Sequence, residues 1–461
     1  MINYSIIQKS QLESAKRLDA EYYQPEYLAN DKIIKNYKNS FKFLGNVLKR
    51  KNAITGGATP LGADYPKEGI SFLRVQNVMQ NYLDLSDVVY ISEKIHNGLL
   101  KRSQIKSGDV LLTITGVSYG KSATIPKDFK EGNINQHSVK IEVDETVILP
   151  EFLSTFLNTK FGKYQNDRKI TGLSRPGLVY TELKNILVPL VSMEKQKEIK
   201  KLVENSYDIL KQSETLYSQA EELLLEELGL KDYKIEDELS CVVDFSEAKD
   251  VHRIDAEYFQ PKYEKLISKI KKQNAKMLGD LVSLKKGIEP GADEYQNEGK
   301  LFIRVSNLSK QGLIDKDQKY LSDALYNELR KNYEPKQNEI LLTKDATPGI
   351  AYVLKELVEG IVAGGVVRLK VKEDVEPEYI ALCINSLVGQ MQIERDAGGS
   401  IIIHLKPEQI KNLQIPILPK SVQQKITDLV HKSHDAHKKA KELLSEAKQK
   451  VEKMILGEVI E

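Results

Sequence analysis

The sequence predicts an α+β protein made of two tandem copies of one unit, each a mixed α/β domain followed by a long helix. Three observations support this prediction. The stretch RLDAEYYQP at residues 17–25 returns 236 residues later as RIDAEYFQP. Short strand-like runs alternate with turn residues in both halves. Each half then ends in a segment of more than 30 residues without proline or glycine, which is typical of a long helix.

The internal repeat covers almost the whole chain. FLRVQN at residues 72–77 matches FIRVSN at 302–307, and GDVLLT at 108–113 matches NEILLT at 338–343. The offset falls from 236 to 230 and then to 227, which indicates shorter loops in the second copy. We therefore predict mixed domains at residues 1–190 and 231–418, and long spacer helices at residues 191–230 and 419–461.

The first mixed domain contains strand-like runs at residues 70–75, 110–114 and 139–143, separated by glycine, asparagine and proline turn signals. A helical pattern over residues 151–159 follows Pro150. The second copy repeats this order. Short strands interrupted by a few helices predict an α+β domain in each copy.

The two long segments carry apolar or small residues at heptad spacing. The first covers residues 193–228 and is followed by Gly229, a helix stop signal, and the second ends before Gly457. Heptad spacing over more than three heptads predicts a coiled coil. A pseudo-twofold arrangement of the copies would make the two helices antiparallel. The alternative is that each helix packs on its own domain. The stripe of the first helix contains Ile199, Leu202, Ser206, Ile209, Ser213, Leu216, Ala220 and Leu223.

Composition sets few limits on function. The 461 residues are 41% hydrophobic and 29% charged, which is ordinary for globular protein and leaves each half enough chain for its own core. The formal net charge is only +2. Residues 1–190 are mildly basic, with 26 Lys and Arg against 19 Asp and Glu, whereas residues 231–419 carry 28 against 31. Charge alone therefore neither predicts nor excludes nucleic-acid binding.

Targeting signals are not evident in the sequence. The N-terminal MINYSIIQKS lacks a basic stretch leading into an apolar core, and no apolar run reaches membrane-spanning length. Cys241 and Cys383 occupy unmatched repeat positions and indicate neither a disulfide framework nor a metal site. We expect a cytoplasmic, reduced protein that uses no cofactor and has no membrane partner.

Several motifs, in an order that the duplication repeats, resemble the DNA specificity subunits of type I restriction-modification systems. They are GGATP at residues 56–60, SGDVLLTITGVSYGK at 107–121, LPEFLSTFLN at 149–158 and the entry to the first long helix at 183–199. The second copy departs from the pattern at KKGIEP, residues 285–290, and at DATPG, residues 345–349. The resemblance implies two target-recognition domains, each reading one half of a split DNA site.

The resemblance also implies partners. The two helices would act as a ruler and as a docking platform for two adenine methyltransferase (modification) subunits, which restriction subunits would join. The chain itself would bind double-stranded DNA and catalyse no reaction. A stiff spacer suits this role because a split site needs two readers at fixed separation and rotational phase.

Comparison of the copies predicts which residues contact DNA. Shared residues such as Arg74 and Arg304 are expected to form framework or position phosphates, and diverging residues are expected to read bases. The diverging loops are residues 51–60 against 285–290 and 168–180 against 395–406. The candidate DNA-binding residues are Lys51, Thr55, Arg74, Lys121, Arg168, Lys169, Ser174, Arg175, Lys286, Arg304, Lys344, Arg395, Ser400 and His404.

Two other classes of function remain open. The near-neutral charge is compatible with a duplicated coiled-coil adaptor that organises protein partners and never contacts DNA. An enzyme with an unrecognised site is the third reading, but its signals are weak. GVSYGKS at residues 116–122 is one residue short of a phosphate-binding loop. His431, His434 and His437 share a helix with no further metal ligand evident nearby.

Overall fold

The computed structural model describes residues 4–10, 12, 17–37, 40–60, 62, 65–116, 119–171, 177–234, 236, 238–372, 374–397 and 403–458. The chain divides into two compact units. Unit 1 comprises Met1–Leu210 and Lys438–Glu461, and unit 2 comprises Lys211–His437. Each unit therefore contains one mixed domain together with a part of each long helix.

Unit 1 is built on two four-stranded sheets. Its mixed domain contains α1 (Pro25–Lys35), β1 (Phe41–Phe43), β2 (Ile54–Gly56), β3 (Ile70–Leu73), β4 (Val89–Ile91), α2 (Glu93–Asn97), β5 (Gln104–Ile105), β6 (Val110–Thr113), β7 (Ser122–Thr124), β8 (Gly132–Ile134), β9 (Ser138–Ile141), α3 (Pro150–Asn158), α4 (Lys160–Arg168), β10 (Ile170–Thr171), β11 (Gly177–Leu178) and β12 (Leu187–Pro189). The first sheet is antiparallel with the order β2-β9-β6-β7. The second has the order β4-β3-β8-β5, and β3 and β8 in it run parallel.

The core of unit 1 explains why the first three residues of β6 form a continuous apolar run. Val110 and Leu112 belong to the same buried cluster as Phe152 of α3. Leu111, on the opposite face of the strand, belongs to a second cluster with Leu73. A strand covered on both faces shows a continuous apolar run instead of an alternating one.

Unit 2 repeats this architecture. The long helix α5 (Met193–Glu227) leads into it, and the elements that follow are α6 (Phe245–Val251), α7 (Pro261–Lys271), β13 (Lys276–Met277), α8 (Leu278–Leu281), β14 (Val282–Lys286), β15 (Lys300–Ile303), β16 (Leu308–Ser309), β17 (Gly312–Leu313), β18 (Lys319–Leu321), α9 (Asp323–Tyr333), β19 (Ile340–Thr343), β20 (Ala351–Val353), β21 (Gly360–Val362), β22 (Val366–Val371), α10 (Pro377–Asn385), α11 (Leu387–Asp396), α12 (Pro407–Asn412), β23 (Gln414–Ile415) and the second long helix α13 (Lys420–Leu456). The main sheet has the order β14-β22-β19-β20, and the second has the order β18-β15-β21 with β15 parallel to β21.

The predicted local elements of the first copy are confirmed. The strand-like runs correspond to β3, β6 and β9, and the helical pattern corresponds to α3. Helix α3 begins at Pro150, one residue earlier than predicted, because proline fits the first position of a helix without losing an intrahelical hydrogen bond.

The two long helices pack together, as predicted, in antiparallel orientation. In unit 1, Val203 near the start of α5 lies in the same core as Val451 near the end of α13. In unit 2, Leu224 near the end of α5 lies in the same core as Ile426 near the start of α13. The helices also pack on the mixed domains, since the Tyr207 hydroxyl donates to the Thr124 carbonyl oxygen at 2.6 Å. Within the described ranges, no helix is both long and apolar enough to cross a bilayer.

The repeated nine-residue stretch forms a cluster of arginine and tyrosine in unit 1. Arg17 pairs with Asp19 at 2.5 Å, and its guanidinium carbon lies 4.7 Å from the centroid of the Tyr22 ring. The guanidinium carbon of Arg168 lies 4.1 Å from the same centroid. Two cations therefore interact with one aromatic ring.

Unit 2 contains the same cluster. Arg253 pairs with Asp255 at 2.5 Å and lies 4.5 Å from the centroid of the Tyr258 ring. Arg395 lies at the same distance from that ring and pairs with Glu264 at 2.8 Å. The near-identity of the two stretches thus accompanies a shared internal arrangement.

Candidate nucleic-acid interface

A basic cleft of about 1160 Å³ lies in unit 1 between the two sheets. Two edge strands, β2 of the first sheet and β5 of the second, line it. Eight of its lining residues are lysine or arginine and two are acidic. The basic residues are Arg50, Lys51, Lys101, Arg102, Lys106, Lys130, Lys140 and Lys184.

Only the inner part of this cleft is neutralised. Glu142 accepts hydrogen bonds from Arg50 at 2.8 Å and lies 3.4 Å from the buried Lys140. Burial by itself would raise the pKa of the Glu142 carboxyl. The hydrogen bond from Arg50 and the charge of Lys140 outweigh this effect, so the net shift of the pKa is downward. At the mouth, Lys101, Arg102 and several other exposed cations form no ion pair with any described residue.

In unit 2, the space that corresponds to this cleft is occupied by a buried arginine and by the end of a longer helix. Arg368 occupies the position of Lys140 and is only 3% exposed. Its guanidinium donates to the backbone carbonyl oxygens of Asn332 and Glu334. The longer helix α9 brings these carbonyls there, because it has 11 residues where α2 has five. Glu334 also pairs with Lys336 at 2.7 Å. The basic cleft is therefore a feature of unit 1 that the duplication does not preserve.

A row of polar side chains lies near the carboxyl ends of β2, β6 and β8; we call it the unit 1 polar edge and define it as Thr59, Thr115, Gln136 and His137. The hydroxyl of Thr59 is hydrogen-bonded to the Gln136 amide oxygen. The Gln136 amide nitrogen lies 3.1 Å from His137 Nε2, and His137 Nδ1 lies 2.5 Å from the Thr115 hydroxyl oxygen. Strands β2 and β6 both pair antiparallel with β9 and so run in the same direction, which brings the residues that follow them to one edge of the sheet.

The corresponding unit 2 polar edge is charged; we define it as Glu289, Lys344, Asp345 and His404. The carboxylate of Asp345 accepts hydrogen bonds from Lys344 Nζ at 2.5 Å and from His404 Nδ1 at 2.9 Å. Burial raises the pKa of Asp345, but the hydrogen bonds from Lys344 and His404 outweigh it and lower the pKa overall. Glu289 is exposed and accepts a hydrogen bond from the Gly364 N–H at 3.0 Å.

Backbone contacts show that the two edges occupy equivalent positions. The Leu178 N–H donates to the Ile114 carbonyl oxygen, and the Leu405 N–H donates to that of Lys344, each at 2.8 Å. The bridge between Thr115 and Gly177 corresponds to the bridge between Asp345 and His404.

A glycine in each first loop permits this arrangement. A Cβ atom on Gly57 would lie 2.1 Å from the Asn135 carbonyl oxygen, and one on Gly287 would lie at the same distance from that of Ala363. Any other residue would push the loop away from the strand end, so glycine holds Thr59 and Glu289 at their edges.

The shared arginines form a framework beside these edges. Arg74 donates to the Asp87 carboxylate at 3.0 Å, and Arg304 donates to that of Asp317 at 2.7 Å. The backbone N–H of Arg74 also donates to the side-chain oxygen of Asn77 at 2.9 Å. Both arginines keep a partly exposed side chain, 29% and 22% respectively, which is compatible with phosphate contact.

The structure places the other predicted residues in four settings. Lys51 and Thr55 line the basic cleft, and Lys344 and His404 meet at Asp345. Lys121 immediately precedes β7. Lys286 is the last residue of β14, and its side chain is exposed. The remaining described residues lie away from both polar edges, in the arginine and tyrosine clusters or next to them: Arg168, Lys169 and Arg395.

The contacts of this last group are internal. Arg168 donates to the Tyr22 carbonyl oxygen at 2.8 Å and to the Asp31 carboxylate at 2.6 Å. Burial lowers the pKa of Lys169. Three predicted residues, Ser174, Arg175 and Ser400, lie outside the described residues.

Apart from Lys51, sequence comparison missed the exposed cations of the cleft. Of the polar edges it named only Lys344 and His404, although Thr59 and Glu289 lie in the diverging loops 51–60 and 285–290. Gln136 and His137 stand where the second copy has Gly364 and Gly365, between matched strands, so the difference between the copies was visible in the sequence. Asp345 was visible in the same way, as the residue that replaces Thr115.

The three histidines of α13 have separate surroundings. His431 Nε2 lies 2.8 Å from Glu378, whose carboxylate also contacts Lys355. His434 Nε2 donates to the Lys310 carbonyl oxygen at 3.1 Å. In the part of the chain that the structure describes, no group of three histidine, cysteine or acidic side chains is arranged to hold a metal ion.

Comparisons with known proteins point in one direction. The family model described as "Type I restriction modification DNA specificity domain" matches residues 41–222 and 271–449. A 180-residue segment is 29% identical to the type I restriction enzyme EcoBI specificity subunit of Escherichia coli. This segment is 39% of the chain and 37% of that subunit, so the match spans less than two thirds of the relative's length.

Two solved structures align over 91% of the chain. One is the S subunit of a type I restriction-modification system from M. genitalium, at 11% identity, with 96% of that chain covered and a TM-score of 0.40. The other is the HsdS subunit from Thermoanaerobacter tengcongensis, at 14% identity, with 97% covered and a TM-score of 0.30.

Proposed function

The chain belongs to the family of type I restriction-modification DNA specificity domains, and from this premise we propose that it recognises a bipartite site in duplex DNA. Specificity subunits of these systems are non-catalytic, and other subunits carry the enzymatic activities. Each of the two matched segments would act as a target-recognition domain for one half-site.

The observation that carries the proposal is the basic cleft of unit 1. Its exposed cations, among them Lys51, Lys101, Arg102 and Lys130, line an open groove without ion-pair partners in the described part of the chain. Concentrated positive charge that the protein itself does not neutralise suits the phosphate backbone of DNA. The overall charge of +2 conceals this local feature.

The long helices suggest how the two readers would work together. Helices α5 and α13 pack on each other and on the mixed domains through continuous apolar cores. Such helices are stiff, so they would keep two domains at a fixed separation and rotational phase along the duplex. We propose that they also dock two methyltransferase subunits, which restriction subunits join in the complete complex.

A duplicated adaptor that binds only proteins is the competing function. A binding selection on random DNA duplexes separates the two, with the full chain tested alone and with the modification subunits of its system. We expect enrichment of two short motifs at one fixed spacing. Failure to enrich any motif, even with the modification subunits present, would refute DNA recognition and favour the adaptor.

A further inference from the structure

We propose that the two polar edges contact the DNA bases, the unit 1 edge reading adenine through Gln136 and the unit 2 edge reading cytosine through Glu289. This inference rests on the proposed function, because it assigns residues to the DNA recognition proposed above. The sequence-based candidates included neither residue by name, although Glu289 lies in the diverging loop 285–290.

The position of the edges supports base contact. Thr59 and Glu289 occupy the same place in the two units, and each is held there by a preceding glycine that lies against a strand end. Gln136 and Glu289 are exposed, while the strands whose ends they lie beside, β8 and β21, are buried. In unit 1 the chain runs from the basic cleft through β2 directly into the polar edge. Phosphates bound in the cleft would therefore bring the adjoining bases toward Gln136.

Unit 1 presents an oriented amide. A single assignment of protons satisfies the whole row. Thr59 donates to the Gln136 amide oxygen, the Gln136 amide nitrogen donates to His137 Nε2, and His137 Nδ1 donates to Thr115. One lone pair and one N–H of the amide then remain available. This is the pair of groups with which glutamine contacts N6 and N7 of adenine in the major groove.

Unit 2 presents a carboxylate in place of that amide. Gly364 and Gly365 replace Gln136 and His137, and a Cβ atom on Gly364 would lie 3.0 Å from the Cγ of Glu289. The glycines therefore leave room for the carboxylate. One of its oxygens accepts from the Gly364 N–H at 3.0 Å, and the other lies 3.4 Å from the Tyr295 hydroxyl.

The charge of Glu289 restricts what the second edge can read. A carboxylate only accepts hydrogen bonds, and phosphates repel it, so it favours a base that presents an amino group. The N4 amino group of cytosine is the base-edge donor that glutamate accepts from, whereas adenine places the N7 acceptor beside its amino group. We therefore expect cytosine at the position contacted by Glu289.

The difference between the copies argues against a purely structural role for the two edges. The framework around them is retained, as Arg74, Asn77 and their counterparts Arg304 and Asn307 show. The exposed groups that the framework carries change from neutral to charged. A scaffold shared by two readers of different half-sites would vary in this way.

The test is the binding selection repeated with Gln136→Ala and Glu289→Gln chains, each full-length and with the modification subunits. Gln136→Ala should lose adenine discrimination at one position of the first half-site by about 10-fold or more. Glu289→Gln should shift one position of the second half-site from cytosine to adenine by a similar factor. Each variant should leave the other half-site unchanged.

Two further variants and the unaltered chain serve as controls. Glu328→Gln changes an exposed carboxylate on α9, away from the polar edge, and should leave both half-sites unchanged. Gln136→Glu should move the first position from adenine toward cytosine, which gives a gain of preference as a second readout. If the unaltered chain enriches two motifs but none of the variants changes a base preference, the inference is overturned while the proposed function stands. If the unaltered chain enriches no motif, the proposed function fails first.

Discussion

Ser213 of α5 and Ser433 of α13 form a reciprocal pair of hydrogen bonds, in which each hydroxyl donates to the other residue's backbone carbonyl oxygen at 2.7 Å. Both side chains are fully buried. So short a side chain reaches the opposite backbone only where the two helices lie very close together. The small residues in the heptad stripe thus fix the distance between the helices in unit 2.

This contact predicts the effect of enlarging Ser213. Ser213→Leu should lower the free energy of unfolding of unit 2 by about 1–3 kcal/mol, because the closely packed helices cannot accommodate the added atoms. Urea denaturation followed by circular dichroism measures the change. Ser218→Leu, on the exposed side of the same helix, should have a much smaller effect. Equal losses for the two variants would contradict close packing at Ser213.

The basic cleft predicts a salt dependence that belongs to unit 1. Replacing both Lys101 and Arg102 with alanine should reduce the slope of log affinity against log salt by about two, since each lost phosphate contact contributes about 0.9. Fluorescence anisotropy with a labelled duplex gives the slope. Lys331→Ala removes the unit 2 counterpart of Lys101, where the cleft is filled, and should leave the slope unchanged. An unchanged slope in the double variant would show that the cleft does not hold phosphates.

His434 predicts a pH dependence of stability. Its imidazole lies 5.4 Å from the Tyr352 ring, and burial lowers its pKa from 6.5 to about 4. The unfolded chain binds a proton at this histidine below pH 6.5, whereas the folded chain binds one only below about pH 4. The free energy of unfolding therefore falls by at most about 3 kcal/mol as the pH is lowered from 6.5 to 4. His434→Phe should flatten this part of the stability profile measured by urea denaturation. A profile as steep as that of the unaltered chain would show that His434 is not the responsible group.

The arginine and tyrosine clusters predict a structural effect for Arg395. Arg395→Ala removes the contact with Tyr258 and the ion pair with Glu264. It should lower the free energy of unfolding by about 1–3 kcal/mol. We expect the selected DNA motifs to stay the same, with Lys331→Ala as the control for loss of an exposed cation. A changed base preference would instead support the DNA contact predicted from the sequence.

Much of the architecture was predictable because the same structural signals occur in both copies of the duplicated sequence. Core positions such as those of β3 and β6 recur with the same spacing. The heptad stripe predicted that the two long helices pack together, and the duplication predicted their antiparallel orientation. These signals are local or periodic, so they can be recognised without knowing which segments meet in space.

The candidate site was less accessible for the same reason. Lys51 and Lys101 are 50 residues apart in the sequence and line one cleft only because β2 and β5 form the facing edges of two sheets. Gln136 became a candidate only when the fold showed that the loop after β2 lies against the end of β8 and brings Thr59 beside it. Divergence between the two copies identified the variable loops. The fold was needed to show which of these loops lie together at a polar edge.

If two readers bind two half-sites at one fixed spacing, affinity depends on the length of the spacer in the selected duplex and not on its sequence. Affinity is measured for duplexes in which the sequence between the motifs is altered at constant length, or lengthened by one base pair and by five. We expect unchanged affinity when only the spacer sequence changes, and a loss of about 10-fold or more for the five-base-pair insertion, which places the half-sites on opposite faces of the duplex. Undiminished binding to that duplex would contradict binding at one fixed spacing.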